Sequence, residues 1–146
     1  MKIILMERIN TTFEYPNGAT YCGEAIGNKR DGKGVYLHNG ITLSGEWVSD
    51  CLTVGKMECT AFCYEGEFLN NMRHGKGVET TPDGNRYEGF FANGKKHGKM
   101  KIFLKNGAVI ECEYSHGVGV GEGVMIMTDG ERVLVEFKNG QLYFEK

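Results

Sequence analysis

Glutamates recur at one phase of this 146-residue chain, at Glu24, Glu46, Glu67, Glu113 and Glu136, with Phe90 standing where one more is due. Two carboxylates facing each other across a substrate could do general acid–base work. Carboxylates spread by a regular spacing instead give each unit the same polar side chain, which reads as a solvated outer face. Cys59 and Cys63 form a loose pair beside Cys51, with Cys22 and Cys112 far off in sequence. Zinc takes four ligands, usually two such pairs, and no second pair stands near. A thiol nucleophile served by His38 or His74 would need those residues to converge, and the spacing disperses them; the cysteines read as small buried hydrophobes. Gly-x-Gly at Gly32, Gly75, Gly117 and Gly121 precedes no readable helix, so a phosphate-cradling loop fails its context test. The expectation is a non-enzyme: no catalytic residues, no metal and no cofactor.

Two constellations suit binding better. The aromatics Tyr21, Tyr36, Trp47, Tyr64, Phe68, Tyr87, Phe91, Tyr114 and Phe137 fall at fixed phases. They are either a core or, where no second layer covers them, a groove that anchors a peptide or helix. Trp47 is the leading anchor. The second constellation is basic: Lys29, Arg30, Lys33, then Arg73, His74, Lys76, then Lys95, Lys96, His97, Lys99. On stacked loops they would form a ladder for anionic headgroups or an acidic protein segment, worth about 1 kcal/mol per charge near an anionic membrane. The plainer alternative is an edge kept soluble by lysine.

The elements that must position these residues follow from a phrase returning every 21 to 23 residues: YCGEA at Tyr21, LSGEW at Leu43, YEGEF at Tyr64, YEGFF at Tyr87, IECEY at Ile110 and VLVEF at Val133. Such a period marks a repeat architecture. Within a unit the period is two, so Tyr64, Gly66 and Phe68 share one face while Glu65 and Glu67 share the other. Loops such as GNKRDG, LNNMRHG and ANGKKHG lead to second strands such as VYLH, VETT and KIFL. Asn39-Gly40, Pro82-Asp83-Gly84, Asn106-Gly107 and Asp129-Gly130 then turn the chain back. The expected fold is all-β: an elongated, single-layer, twisted antiparallel sheet of consecutive β-hairpin repeats, about 50 Å long at about 4.8 Å per strand. One repeat domain fills residues 1–146, with an N-terminal edge at 1–16, repeats at about 17–38, 39–60, 61–83, 84–106 and 107–129, and a partial unit at 130–146. The second repeat lacks an Asn-Gly or Asp-Gly turn and predicts a shorter or irregular hairpin.

Composition narrows the partners. A net charge of −2 gives no general attraction for nucleic acid, and 22 glycines at fixed phases argue for backbone geometry in place of a linker. The start MKIILMERIN is too short an apolar run for a signal peptide, and five cysteines form no paired framework. The expected location is the cytoplasm, at a membrane or the cytoskeleton if a partner holds the chain there.

The phrases YEGEFLNNMRHGKGVETTPDG and YEGFFANGKKHGKMKIFLKNG resemble MORN repeats (membrane occupation and recognition nexus). The resemblance runs from about Asn17 to Gly140; repeats one, three and four are close, repeat two is degenerate, and repeats five and six replace the Tyr and Gly of the opening phrase. It implies hairpin arrays that act in protein interaction, dimerisation and scaffolding, with phosphoinositide or membrane binding also proposed. The function expected is a scaffold that takes a partner peptide or helix along the aromatic groove and self-associates as a homodimer through the sheet ends, Lys2-Ile3-Ile4-Leu5 and Leu142-Tyr143-Phe144. The alternative is a peripheral module for anionic phospholipids.

Overall fold

The computed structural model describes residues 6–144, which hold thirteen strands and no helix. In chain order they are β1 Arg8–Glu14, β2 Thr20–Ile26, β3 Lys29–His38, β4 Ile41–Val48, β5 Cys51–Glu58, β6 Cys63–Leu69, β7 Met72–Thr80, β8 Arg86–Ala92, β9 Lys95–Phe103, β10 Val109–Ser115, β11 Val118–Ile126, β12 Arg132–Lys138 and β13 Gln141–Phe144. Every strand pairs antiparallel with its chain neighbours, so spatial order equals sequence order in one open sheet. This is the hairpin series that period-two phrases between turn residues dictate. The apolar segment Lys2–Leu5 lies outside the described residues.

Turn chemistry corrects one expectation. The stretches read as basic loops are almost entirely strand, because the chain reverses there on two residues. Ser49–Asp50, Asn70–Asn71, Asn93–Gly94, His116–Gly117 and Asn139–Gly140 all have positive φ at both positions, as does Asn39–Gly40 between β3 and β4. That is the reversal whose twist matches paired strands. Pro82-Asp83-Gly84, Asn106-Gly107 and Asp129-Gly130 lie in longer turns, closed by Thr81 N–H to Asn85 O at 3.0 Å, Leu104 N–H to Ala108 O at 2.9 Å and Met127 N–H to Glu131 O at 2.8 Å. The second repeat is one residue tighter, with Cys59 N–H donating to Phe62 O at 3.0 Å.

The registers align residues across the whole sheet. One row runs Phe13, Tyr21, Tyr36, Leu43, Met57, Tyr64, Glu79, Tyr87, Ile102, Ile110, Met125, Val133 over twelve strands. Beside it lies a line of glycines, one per strand from β2 to β8: Gly23, Gly34, Gly45, Gly55, Gly66, Gly77, Gly89. In a flat ladder opposed Cβ atoms stand about 4.5–5.5 Å apart. A Cβ on Gly23 would instead lie 2.4 Å from Gly34 Cα, and one on Gly55 2.1 Å from Ser44 O. The sheet is folded sharply along this line, as only residues without side chains allow.

Past the crease the second strand of five hairpins carries a bulge, seen as register shifts at Gly23/Ala25, Glu46/Trp47, Gly66/Phe68, Gly89/Phe91 and Glu111/Glu113, where β3, β5, β7, β9 and β11 hold the extra residues. The first strand passes the bulge in plain alternation, so the residue four places beyond the row keeps its side chain on the creased face. Ala25, Trp47, Phe68, Phe91, Tyr114 and Phe137 thereby form a second wall opposite the first row. The walls close on each other: Tyr21–Trp47 and Tyr64–Phe91 meet edge to face with centroids 5.7 and 4.8 Å apart. Tyr21, Trp47, Tyr64, Phe68 and Phe91 are consequently buried. A single layer makes a core by folding on itself, each large side chain contributing about 1.5–3 kcal/mol.

Candidate functional site

The creased face is a slot whose floor is the glycine line and whose walls are the two apolar rows. The tyrosine rings lie flat over that floor. Tyr21 Oη donates to Glu24 O at 2.6 Å and Tyr64 Oη to Glu67 O at 2.8 Å, while added Cβ atoms on Gly34 and Gly77 would run into the same two rings. Burial pushes the Tyr64 hydroxyl up to about 12 and raises Tyr114 and Tyr87 as well. These phenols hold their protons, and Tyr21 and Tyr64 act as donors, not as bases.

This geometry corrects the reading of the aromatics as an uncovered groove. Tyr21, Trp47, Tyr64, Phe68 and Phe91 are buried in the core. Trp47, the expected anchor, donates its Nε1–H to Gly34 O at 3.0 Å and stands under Arg30 at 4.6 Å. Tyr36, Tyr87, Tyr114 and Phe137 are partly buried and pack against that core. With Phe13, Leu43, Met57 and Phe62 they form the mouth of the slot.

The basic residues divide by strand alternation. Arg30, Leu52, Arg73, Lys96, Gly119 and Leu142 are the cross-strand partners of Ala25, Trp47, Phe68, Phe91, Tyr114 and Phe137. They point inward over the slot. Arg30 lies 4.8 Å from the Tyr36 centroid, and Arg73 lies 4.1 Å from that of Phe62. Lys96 lies 4.2 Å from the Tyr87 centroid. Arg30 is further held by Asp50, whose Oδ1 accepts from its backbone N–H at 2.8 Å. The main chain at these lids binds the following turn: Asp50 N–H to Arg30 O, Gly94 N–H to Arg73 O and Gly117 N–H to Lys96 O, at 2.8–3.0 Å. Three of the supposed headgroup ligands are thus lids over the core.

Of the others, Lys33, Lys76 and Lys99 are exposed on the opposite face, paired across strands with Glu46, Phe90 and Glu113. Lys29 and Lys95 are exposed beside their turns. His74 is half-buried, and His97 accepts the His116 N–H at 3.2 Å. The expected basic ladder is split between two faces because its residues lie on strands.

Sequence reasoning missed Glu79. It occupies the row position of Tyr36 and Met57, is buried, and receives Arg73 at 2.5 Å on Oε1 and Lys96 at 2.7 Å on Oε2. The signal was present: VETT breaks the apolar alternation of VYLH. The recurrent glutamates are also more than solvated surface, since Glu24 accepts the Lys33 backbone N–H at 2.8 Å and Glu67 that of Lys76 at 3.1 Å, satisfying groups that the bulge leaves open. Near the first turn the Arg8 guanidinium holds the Asp31 carboxyl below its usual range.

All five cysteines are free; Cys112 is buried, Cys59 and Cys63 are half-buried, and Cys22 and Cys51 are exposed, so the reading as buried hydrophobes holds fully for Cys112 alone. Burial lifts the Cys112 thiol to about 11, far from a reactive thiolate. Among the described residues no three Cys, His, Asp or Glu gather as a metal site, and no helix is long and apolar enough to cross a membrane.

The family model of the MORN repeat matches residues 21–40, 64–86, 87–99 and 113–132, together just over half of the chain. The first two segments cover hairpins β2–β3 and β6–β7 with their creases, bulges and lids. No curated protein matches the chain. Repeats of this kind serve in general as protein- or membrane-interaction modules, associated with membrane or cytoskeleton contact. The slot and its phase-locked glycines, rings and glutamates are therefore the working out of a shared motif, and the chain belongs to the MORN repeat family.

Proposed function

We propose that the protein is a non-enzymatic scaffold that takes a partner peptide or helix along the mouth of the aromatic slot. The observation that carries this reading is the row from Phe13 to Val133, continuous over twelve strands, whose half-buried members have no second layer above them. The second repeat is the most receptive stretch. There the inward position is Leu52 in place of a cation, leaving Leu43 and Met57 between the guanidinium groups of Arg30 and Arg73. An apolar side chain set between acidic neighbours is the complementary partner motif. Self-association would use the edge strand β13, where Tyr143 and Phe144 are exposed.

Affinity capture from a matched cytoplasmic lysate, with wild type beside Leu43→Glu/Met57→Glu, tests the reading. The expected result is a protein captured by the wild type and lost with the double variant at unchanged folding; the same capture by both would remove it. The lipid alternative is tested by flotation on phosphatidylserine vesicles with Lys29→Glu/Lys95→Glu, which spares the lids. Flotation that depends on these two lysines and falls with salt would replace the protein-partner reading. Sedimentation of Tyr143→Lys checks the homodimer.

A further inference from the structure

We propose a second docking surface, on the face away from the slot, for a protein segment in which apolar side chains are flanked by lysine or arginine. The outer face of β8–β11 forms an open hollow of about 790 Å³, continued over β6–β9 by a shallower one of about 420 Å³. Phe90 lines both. It stands at the phase of Glu24 and Glu67, whose carboxylates bind the backbone N–H groups of Lys33 and Lys76. A phenyl ring accepts no such bond, and this one is 45% exposed. The repeat gives up a bulge-capping carboxylate and presents an aromatic ring to solvent, an exchange that helps binding and not folding.

The surroundings decide the occupant. Val120 and Val124 extend the apolar floor beside Phe90. Glu88 is paired with Arg86 at 3.1 Å and Glu111 with Lys101 at 3.8 Å, whereas Glu113 and Glu122 line the hollow with no ion pair among the described residues. The carboxylates outnumber Lys99 and Lys101, so the rim attracts a cationic segment and repels an anionic membrane or nucleic acid. A hollow of this size takes two or three side chains of an extended segment.

The test is fluorescence anisotropy on the full chain with a labelled peptide of two central residues, Leu and Phe, flanked on each side by two lysines. Controls replace the lysines by glutamate or the central pair by serine. Phe90→Glu restores the carboxylate of the other repeats, so it folds at least as well as wild type and isolates the docking role. The lysine-flanked peptide binds wild type, weakens at least tenfold with Phe90→Glu and with Glu113→Lys/Glu122→Lys, and the controls fail to bind. Affinity within twofold of wild type in Phe90→Glu, equal binding of the glutamate-flanked control, or no binding to wild type at millimolar peptide would overturn the proposal. Phosphatidylserine vesicles that bind wild type but not Phe90→Glu would assign the hollow to a membrane and overturn it equally.

Discussion

Replacing Glu79 by glutamine should destabilise the fold more than any other single isosteric change on the creased face. Its two oxygens hold Arg73 and Lys96 at 2.5 and 2.7 Å, and the three side chains are only 5, 13 and 19% exposed. Breaking a buried ion pair by removing one partner costs about 3–5 kcal/mol, because the opposing charge stays desolvated. Glutamine keeps one acceptor but turns an NH2 toward a cation, and Arg73 retains Gly94 O at 2.6 Å. Glu79→Gln therefore lies near the lower bound, about 3 kcal/mol, and Glu79→Ala near about 5 kcal/mol. The triple variant Arg73→Leu/Glu79→Met/Lys96→Leu installs the residue types found at Leu52 and Met57, and should return to within about 1 kcal/mol of wild type or exceed it. Equilibrium urea unfolding reads all three through the midpoint and its slope. A loss under about 1 kcal/mol for Glu79→Gln, or a triple variant as unstable as Glu79→Ala, would refute the reasoning, since the cluster would then be screened like a surface pair.

Further outcomes follow from the same geometry. Gly77→Ala puts a Cβ 2.2 Å from the Tyr64 ring, an overpacking that should cost about 1–3 kcal/mol in urea unfolding. Trp47→Ala should lower stability by about 3–5 kcal/mol as a core truncation, so partner loss in that variant at unchanged melting temperature would contradict its placement. Stability should also fall in alkali: the unfolded chain releases the Cys112 proton from the ordinary 9.0, whereas the folded chain keeps it to about 11. The contribution is full below pH 9 and lost as pH rises to 11, and Cys112→Val should flatten that window in pH-dependent unfolding.

The hairpin series was legible because it rests on local rules. Asn39-Gly40 turns where an Asn-Gly pair must, and Tyr64, Gly66 and Phe68 share a face by alternation alone. The crease was not legible. It needs the registers of seven strands to bring seven glycines into one line, and no single hairpin carries that alignment. Without the crease, a one-layer sheet has no means of burying Trp47, and Arg30 and Arg73 look like loop cations instead of lids. Glu79 and Phe90 are two places where a repeat departs from its own phase. The first is explained by the ion cluster that surrounds it; no intramolecular contact explains the second.

The central claim is that a partner lies on the mouth of the slot, and residues 42 and 43 separate the two faces of one strand. Leu43 belongs to the apolar row and pairs with Met57, whereas Thr42 pairs with Glu58 on the opposite face. A photo-crosslinking side chain at each position, irradiated in the matched lysate, reads which face carries the partner. The account predicts a crosslinked protein from position 43 and none from position 42; a crosslink from position 42 alone, or from neither, would contradict it.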